Sequence, residues 1–261
     1  MTNKLNTFKY YIAGIVAFIV WGAFSIPLKL LKDYHSIQIL QYRVFTALVM
    51  IVLFILFFRR DKLTEDLKTF KASPKKEKRK LSGLILLSSV LLMGNWFTYI
   101  FAVNHVSLTS AAFAYMVCPL LTAFGGFFIL KERLSAIKLT GLGIALLSIL
   151  LLATGSLREV LWSVGIASVY AFYLIIQRFI TQVDKLNMLA INLVISAILM
   201  LPYFFLHPEP IPTEAIFWVV IVVIALLFTL IPLFLNLYSL VALPSSTLGI
   251  IMYINPIIAF L

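Results

Sequence analysis

The sequence predicts an all-α, polytopic membrane protein that folds as a helical bundle. Of its 261 residues, 62% are hydrophobic and only 12% are charged, whereas soluble domains carry about 25% charged residues. Apolar stretches of about 20 residues, which suffice to cross a bilayer core of about 30 Å, recur along the chain. Stretches such as 85–92 and 217–227 are apolar on every face, which indicates helices and not the alternating strands of a barrel.

Nine apolar segments, separated by charged residues or by Pro and Gly, are predicted to cross the membrane. They lie near residues 10–31, 38–58, 82–103, 108–130, 136–154, 160–180, 187–206, 214–239 and 246–261. Most connections are short, so consecutive helices are expected to be antiparallel neighbours in one bundle. The one long connection is rich in Lys and Glu and is interrupted by Pro74, and it is predicted to be a mobile loop.

The basic residues are distributed unevenly between the two sides of the predicted bundle. Ten of the 21 Lys and Arg residues lie between Arg59 and Lys80. If the N-terminus is inside, 17 basic residues fall in inner segments and only Lys29, Lys32 and Arg158 in outer ones. Because cytoplasmic loops retain positive charge, the sequence predicts a multi-pass protein of the plasma (inner) membrane with a cytoplasmic N-terminus. The basic segment has a single aromatic residue, and nucleic acid binding is not expected.

The chain carries an internal repeat. An offset of 137 residues aligns Thr109-Ser110 with Ser246-Thr247 and Pro119 with Pro256, and an offset near 149 aligns Trp21 with Tyr170 and Lys29 with Arg178. The predicted repeats are residues 1–154, with five spans, and residues 155–261, with four. A repeat of five crossings inverts its second copy in the membrane, and inverted halves with a site between them are typical of secondary transporters.

Residues 102–134 (AVNHVSLTSAAFAYMVCPLLTAFGGFFILKERL) resemble the signature end of an EamA domain in the drug/metabolite transporter (DMT) superfamily. The segment is most similar to the RarD branch in its Ala102–His105 motif, the Ser/Thr-rich turn that follows, the mid-span Pro119 and the closing Lys131–Leu134. Further similarity lies in Trp21-Gly22, Lys29, residues 39–43 (ILQYR) and residues 253–256 (YINP). The resemblance covers essentially the whole chain.

The resemblance implies ten helices in two EamA-type halves, with a small-molecule substrate taken up between them. The ninth span has only about 16 residues after Pro244, and no residue follows Leu261 in this sequence. The tenth helix, and the second half's counterpart of Lys131-Glu132-Arg133, are therefore expected to be missing from a truncated second repeat. The expected function is that of a secondary transporter or exporter of small organic metabolites.

Arg43 is the leading candidate for substrate binding, because a charged side chain inside a span costs about 2.5 to 3.5 kcal/mol on insertion scales. It lies roughly two turns into the second span. Its guanidinium is suited to bidentate binding of a carboxylate or phosphate. The alternatives are a side chain that extends to the outer interface and an ion pair with Asp33.

Other polar and aromatic residues at helical spacing are predicted to line a central cavity. These are Trp21, Asn95, Trp96, Tyr99, Tyr115, Tyr170, Tyr173, Gln177 and Tyr253. The alternatives are interhelical hydrogen bonding for Asn95, interfacial belts for the aromatic residues, and simple packing for Tyr115 and Tyr253.

Small and ring-closed residues inside the spans suggest where helices bend or approach each other. Pro119 and Pro256 each remove a backbone donor, and they are predicted to be hinge points or, alternatively, static kinks. Gly125-Gly126 and the spacing from Gly141 to Ala145 are predicted to permit close helix contact.

All ten carboxylates fall in loops or at span ends, and the sequence has no HExxH motif and no phosphate loop. It therefore predicts no catalytic group, no metal site and no cofactor. A proton relay through a buried acid is not supported, and His105, the one titrating substitute near a span, is more simply a capping residue. The expected partners are a small-molecule substrate and the lipid bilayer. The sequence leaves open a homodimer. The alternative functions are a receptor or assembly protein that does not transport and, less favoured, a membrane-embedded enzyme.

Overall fold

The computed structural model describes residues 4–152 and 157–260, and within that part every regular element is a helix. The helices are α1 (Lys4–Gly22), α2 (Ser25–Lys29), α3 (Ser36–Phe58), α4 (Arg60–Ala72), α5 (Lys75–His105), α6 (Leu108–Leu130), α7 (Ala136–Leu152), α8 (Leu157–Phe179), α9 (Lys185–Leu206), α10 (Ala215–Val223), a π-helical segment (Ile224–Leu230), α11 (Ile231–Ser239), α12 (Ser245–Ile251) and α13 (Ile254–Phe260). Seven described segments are long and apolar enough to cross a membrane. Two more apolar segments, Ala136–Leu147 and Ser245–Ala259, are shorter. The predicted all-α polytopic bundle is confirmed.

Three spans are interrupted four residues before a proline. A proline has no N–H to donate to the carbonyl four residues earlier, so that carbonyl needs another partner. The Ala23 carbonyl, four residues before Pro27, accepts from the Ile26 N–H at 3.1 Å, and the Met252 carbonyl, four residues before Pro256, accepts from the Asn255 N–H at 3.0 Å. The third interruption is the π-helical segment, which ends just before Pro232.

The segment between the second and third spans differs from its prediction. A loop was expected there, but residues 60–72 form the helix α4. Polar residues such as Lys and Glu are good helix formers, so a lack of apolar residues does not prevent a helix. Asp61 in the first turn and Lys71 in the last turn also suit the helix dipole. Pro74 separates α4 from α5.

Helices of the first half (α1 to α7) pack mainly on helices of the second half (α8 to α13). α1 packs on α11 and α13, α3 on α9 and the π-helical segment, α5 on α8 and α9, and α6 on α8 and α12. α7 lies at the edge, packed on α6. The core of the bundle is therefore the boundary between the two halves.

The two predictions of close helix contact, at Gly125-Gly126 and at Gly141, have different outcomes. A Cβ at Gly125 would lie 2.3 Å from Ile175 Cδ1, and one at Gly126 would lie 2.6 Å from Ser245 Oγ, so close contact at both positions is confirmed. A Cβ at Gly141 would meet nothing within 4 Å. The predicted close contact at Gly141 is therefore wrong, because α7 presents this face away from the bundle.

Polar contacts hold the halves together at each end of the bundle. The end that carries residues 59–80 is called the basic face, and there Arg59 Nη2 lies 3.0 Å from Asp184 Oδ2. The other end of the bundle is called the opposite face. There His35 Nδ1 lies 2.9 Å from Glu209 Oε1, and Gln38 Nε2 donates to the Pro210 carbonyl at 2.9 Å.

The internal repeat stays a prediction. The boundary predicted between residues 154 and 155 lies outside the described residues, and so do the side chains of Thr109 and Ser110.

Candidate functional site

A cavity of about 800 Å³ lies between the two halves, on the side of the opposite face. This volume falls within the range of about 300 to 1,000 Å³ that is usual for small-molecule sites. Eight residues singled out from the sequence contribute to its wall: Trp21, Arg43, Asn95, Trp96, Tyr99, Tyr115, Tyr170 and Pro256. They come from α1, α3, α5, α6, α8 and α13, so both halves form the cavity.

Arg43 places a cation in the wall of this cavity. Its Cζ lies 5.1 Å from the centroid of the Trp96 ring and 5.5 Å from that of Phe24, which is within the range of a cation–π interaction. Its Nε is buried without a hydrogen-bond partner. Among the described residues no carboxylate lies within 4.0 Å of its guanidinium, so the alternative of an ion pair with Asp33 does not occur. The guanidinium is therefore available to an anionic group in the cavity.

The aromatic residues of the wall contact one another in pairs. Trp21 and Tyr170, the pair aligned by the 149-residue offset, lie edge to face with ring centroids 6.4 Å apart. The ring centroids of Tyr99 and Tyr115 are 5.5 Å apart. Such rings provide flat apolar surfaces with polar tips, which suits a solute with an apolar or aromatic body.

The ring of Trp21 is oriented by a backbone carbonyl of the interrupted eighth span. Its Nε1 donates to the Phe228 carbonyl at 3.0 Å. That carbonyl lies four residues before Pro232, which has no N–H to give it. Pro232 thus leaves an acceptor at the cavity edge, and Trp21 uses it.

Two polar residues of the wall also bond across helices. Asn95 Nδ2 donates to the Ile166 carbonyl at 3.3 Å, so the interhelical bond that was the alternative for Asn95 is present together with its position in the wall. The Tyr170 hydroxyl accepts from Asn236 Nδ2 at 2.7 Å. The first contact joins α5 to α8, and the second joins α11 to α8.

Four sequence-predicted residues do not contribute to the cavity wall. Tyr173 and Gln177 continue the face of Tyr170 toward the basic face, and both are almost fully buried. The Tyr253 hydroxyl is buried without a partner at the break between α12 and α13. Pro119 lies within an unbroken α6. The roles of all four stay predictions.

The cavity also has wall residues that were not singled out from the sequence. They include Phe24, Phe113, Met116, Phe228 and Thr229. Phe228 is recognisable in retrospect by its spacing of four from Pro232. The others are ordinary apolar or small residues, and nothing in their local sequence distinguishes a cavity wall from a helix contact.

Glu132 joins the halves at the basic face. Its carboxylate accepts from the Ser245 N–H at 2.7 Å, the Ser245 hydroxyl at 2.9 Å and the Ser246 N–H at 2.9 Å. These are the first N–H groups of α12, whose N-cap position is Pro244, so Glu132 replaces the missing cap. Lys131, with φ of 56°, turns the chain so that Glu132 reaches α12. Burial alone would raise the pKa of Glu132, but the hydrogen bonds from Ser246 and Ser245 outweigh it and lower the pKa below its ordinary value.

We expect Glu132→Ala to lower the free energy of unfolding by about 1 to 2 kcal/mol, which is the usual cost of losing a helix cap. A carboxylate with a lowered pKa stabilises the folded state above the pKa of the unfolded chain, and this contribution is lost as the pH falls through the folded-state pKa. The wild-type advantage over Glu132→Ala should therefore begin to shrink as the pH falls below about 4.5, the ordinary pKa of this group, and disappear only below the lower pKa of the folded state. Thermal unfolding in detergent at several pH values measures it. The exposed Glu77→Ala is the control, and an equal loss there would contradict the capping role.

His105 and the acidic residues lie away from the cavity wall. The His105 ring stacks on Phe101, with centroids 4.5 Å apart, at the end of α5. In the described part of the chain, no three His, Cys, Asp or Glu side chains are grouped so that they could hold a metal ion.

Comparison with known proteins identifies the family. The family model described as the EamA-like transporter family matches residues 8–154 and again residues 157–261. The chain belongs to the EamA-like transporter family. Each half of this EamA-like transporter is thus similar to the same family model.

Named relatives agree with that assignment. The transporter YojE of Bacillus subtilis is 29% identical over 98% of this chain and 85% of its own length. Protein RarD of Streptomyces exfoliatus is 28% identical over 99% of this chain and 80% of its own, and protein RarD of Escherichia coli is 26% identical over 95% and 82%. The resemblance to EamA domains and to the RarD branch is confirmed.

A solved crystal structure shows the same fold. It is 16% identical in sequence and superposes with a TM-score of 0.72 over 96% of this chain and 85% of the other. The EamA-like chain is therefore a multi-pass membrane protein of a transporter family, with its cavity at the boundary between its two halves.

Proposed function

We propose that this chain is a secondary carrier that moves small organic metabolites, such as amino acid-like solutes or drugs, by alternating access between its two halves. The observation that carries the proposal is the guanidinium of Arg43, which has no ion-pair partner among the described residues and lies in the aromatic wall of an 800 Å³ cavity. A charged group is retained inside a membrane protein at a cost, and a substrate partner offsets that cost.

The chemistry of the wall suggests the class of solute. Arg43 would bind a carboxylate or phosphate by paired, charge-assisted hydrogen bonds. The rings of Trp21, Trp96, Tyr99 and Tyr115 would contact an apolar or aromatic body. The best fit is an anionic or zwitterionic solute with such a body, and an aromatic amino acid has both parts.

The packing around the cavity supports a carrier rather than a continuous pore. The wall residues lie toward the opposite face, while at the basic face Glu132 and Arg59 bond to residues of the second half. A Cβ at Gly249 would lie 3.1 Å from Thr122 Cβ, so α12 and α6 are in close contact beyond the cavity. A solute in the cavity would reach the basic face only after these contacts separate.

We further propose that the protein resides in the plasma (inner) membrane with the basic face in the cytoplasm. Ten basic residues lie between Arg59 and Lys80, and such an excess is typical of cytoplasmic segments. After Ser73, we therefore expect a reporter that works only in the cytoplasm to be active and one that works only in the periplasm to be inactive. After Glu209, we expect the opposite. The reverse pattern would contradict this orientation.

Uptake into proteoliposomes tests the function. The full chain is reconstituted, and uptake of labelled phenylalanine, glutamate and chloramphenicol is compared with uptake by protein-free vesicles. We expect saturable uptake of at least one of these solutes. Uptake equal to that of protein-free vesicles for a broad panel of amino acids, drugs and nucleotide-like solutes would favour a receptor or assembly protein that does not transport.

A further inference from the structure

A cluster of buried polar side chains lies between the cavity and the basic face. It consists of Tyr173 and Gln177 on α8, Asn192 and Ser196 on α9, and Asn236 on α11, each at most 1% exposed. Every member has at least one polar atom without a hydrogen-bond partner: Tyr173 Oη, both amide atoms of Gln177, Asn192 Nδ2, Ser196 Oγ and Asn236 Oδ1. This set is called the lower polar cluster.

The lower polar cluster is connected to the cavity. Asn236 donates to the hydroxyl of Tyr170, which is a cavity wall residue, at 2.7 Å. The ring of Tyr173 stacks on that of Tyr170, with centroids 5.7 Å apart. Asn192 and Gln177 lie beside the Tyr173 hydroxyl, so the cluster continues from the cavity floor toward the basic face.

Unpartnered polar atoms are unusual in the interior of a protein. Buried polar groups are nearly always hydrogen-bonded, because each one that is not loses its water without replacement. Five neighbouring side chains with this property are difficult to explain as packing. A leucine in place of Gln177 would fill a similar volume and would lose only the contact of the Gln177 amide with the Tyr173 hydroxyl.

The predicted repeat relates this cluster to the cavity wall. The offset of 149 residues, defined by Trp21 with Tyr170 and Lys29 with Arg178, also aligns Phe24 with Tyr173, Leu28 with Gln177, and Arg43 with Asn192. Phe24, Leu28 and Arg43 are wall residues of the cavity. α1 and α8 cross the bundle in opposite directions, so the partners of wall residues lie on the side of the basic face.

We propose that the lower polar cluster is a second solute-binding surface, which becomes the wall of the cavity when the carrier opens toward the basic face. This inference rests on the proposed function. The surface offers neutral amides and hydroxyls where the present wall offers Arg43, so it binds the uncharged hydrogen-bonding groups of the solute, such as a hydroxyl, an amide or a neutral carbonyl. Its unpartnered atoms are then paired with solute or water in that state.

Cysteine labelling tests whether the surface becomes accessible. Cys118 is the one cysteine of the chain, so Cys118→Ala gives a background for Ser196→Cys and for the control Val194→Cys. Val194 lies two residues away on the same helix, is 38% exposed and points away from the cluster. In the reconstituted full chain we expect a membrane-impermeant thiol reagent, applied at the basic face, to modify Ser196→Cys at least tenfold faster than Val194→Cys. Equal rates in a protein that shows solute flux would overturn the proposal.

Transport by a variant that replaces one polar side chain of the cluster by an apolar one of similar size provides the second test. We expect Gln177→Leu to fold with unchanged or higher thermal stability and to lower the uptake of phenylalanine or chloramphenicol at least tenfold. Ser168→Ala, on the same helix, removes a hydroxyl that bonds only its own helix and should leave uptake unchanged. Uptake by Gln177→Leu within twofold of wild type would overturn the proposal. Absent flux in the wild type is instead the failure of the proposed function, and equal labelling rates in that protein would also overturn the accessibility of the cluster.

Discussion

Arg43→Ala should reduce the uptake of an anionic or zwitterionic solute at least tenfold, and at most a few hundredfold, without lowering the stability of the protein. Hydrogen bonds to a charged group contribute about 1.5 to 3 kcal/mol, and each 1.4 kcal/mol is a factor of ten in affinity. Arg43 has no carboxylate partner in the part of the chain that the structure describes, so its removal takes away a buried charge and no ion pair there. Uptake in proteoliposomes and thermal unfolding measure the two effects.

Two variants make the Arg43 result specific. Arg43→Lys keeps the charge but not the paired donors, and we expect it to retain part of the affinity. Lys29→Ala removes an exposed cation from the end of α2 and should leave uptake unchanged. Normal uptake by Arg43→Ala would reduce Arg43 to an interfacial anchor, and an equal loss in Lys29→Ala would indicate a general effect of charge.

Gly22→Ala should destabilise the bundle and abolish transport. A Cβ at position 22 would lie 2.5 Å from Ile258 Cβ and 2.9 Å from the Asn255 carbonyl oxygen. Both atoms are at or near the backbone of α13, so no side-chain rotation relieves the contact. We expect a loss of about 1 to 3 kcal/mol in the free energy of unfolding, as for other overpacked sites. The displacement of α13 should also disturb the cavity wall, to which Asn255 and Pro256 contribute.

Gly141→Ala is the matched control for Gly22→Ala. A Cβ there meets nothing within 4 Å, and alanine is favoured over glycine inside a helix by about 0.5 to 1 kcal/mol. We expect it to be neutral or slightly stabilising, with normal transport. Thermal unfolding and uptake of both variants measure the difference. A Gly22→Ala protein as stable as wild type would show that α1 and α13 are not held at the described distance.

Hydropathy predicted the spans well because the bilayer imposes their length and composition. Periodicity could not show where a span is interrupted. Six of the seven residues in the π-helical segment Ile224–Leu230 are apolar, and only Pro232 indicates that a carbonyl before it lacks its usual donor. The helix α4 was predicted to be a loop because its polarity was read as a lack of structure, although polarity alone does not separate an exposed helix from a loop.

The candidate site was predictable to the extent that polarity marks a residue inside the membrane. Arg43 and Trp96 stand out in their spans, and both are wall residues. Tyr173 and Gln177 were placed on the face of Tyr170, and they do continue that face, but below the floor of the cavity. How deep the cavity extends depends on the packing of α6 against α12, which no single helix encodes. Whether these residues bind a solute stays a prediction.

Accelerated exchange is the most direct test of the central claim, which is that a solute occupies one cavity that opens alternately to the two sides. Proteoliposomes that contain the full chain are loaded with unlabelled phenylalanine, or with whichever of the tested solutes is taken up, and the entry of the labelled solute is followed. A carrier of this design should take up label several times faster into loaded than into empty vesicles, and the rate should saturate. Entry that is unaffected by the internal solute and rises linearly with concentration would contradict the account.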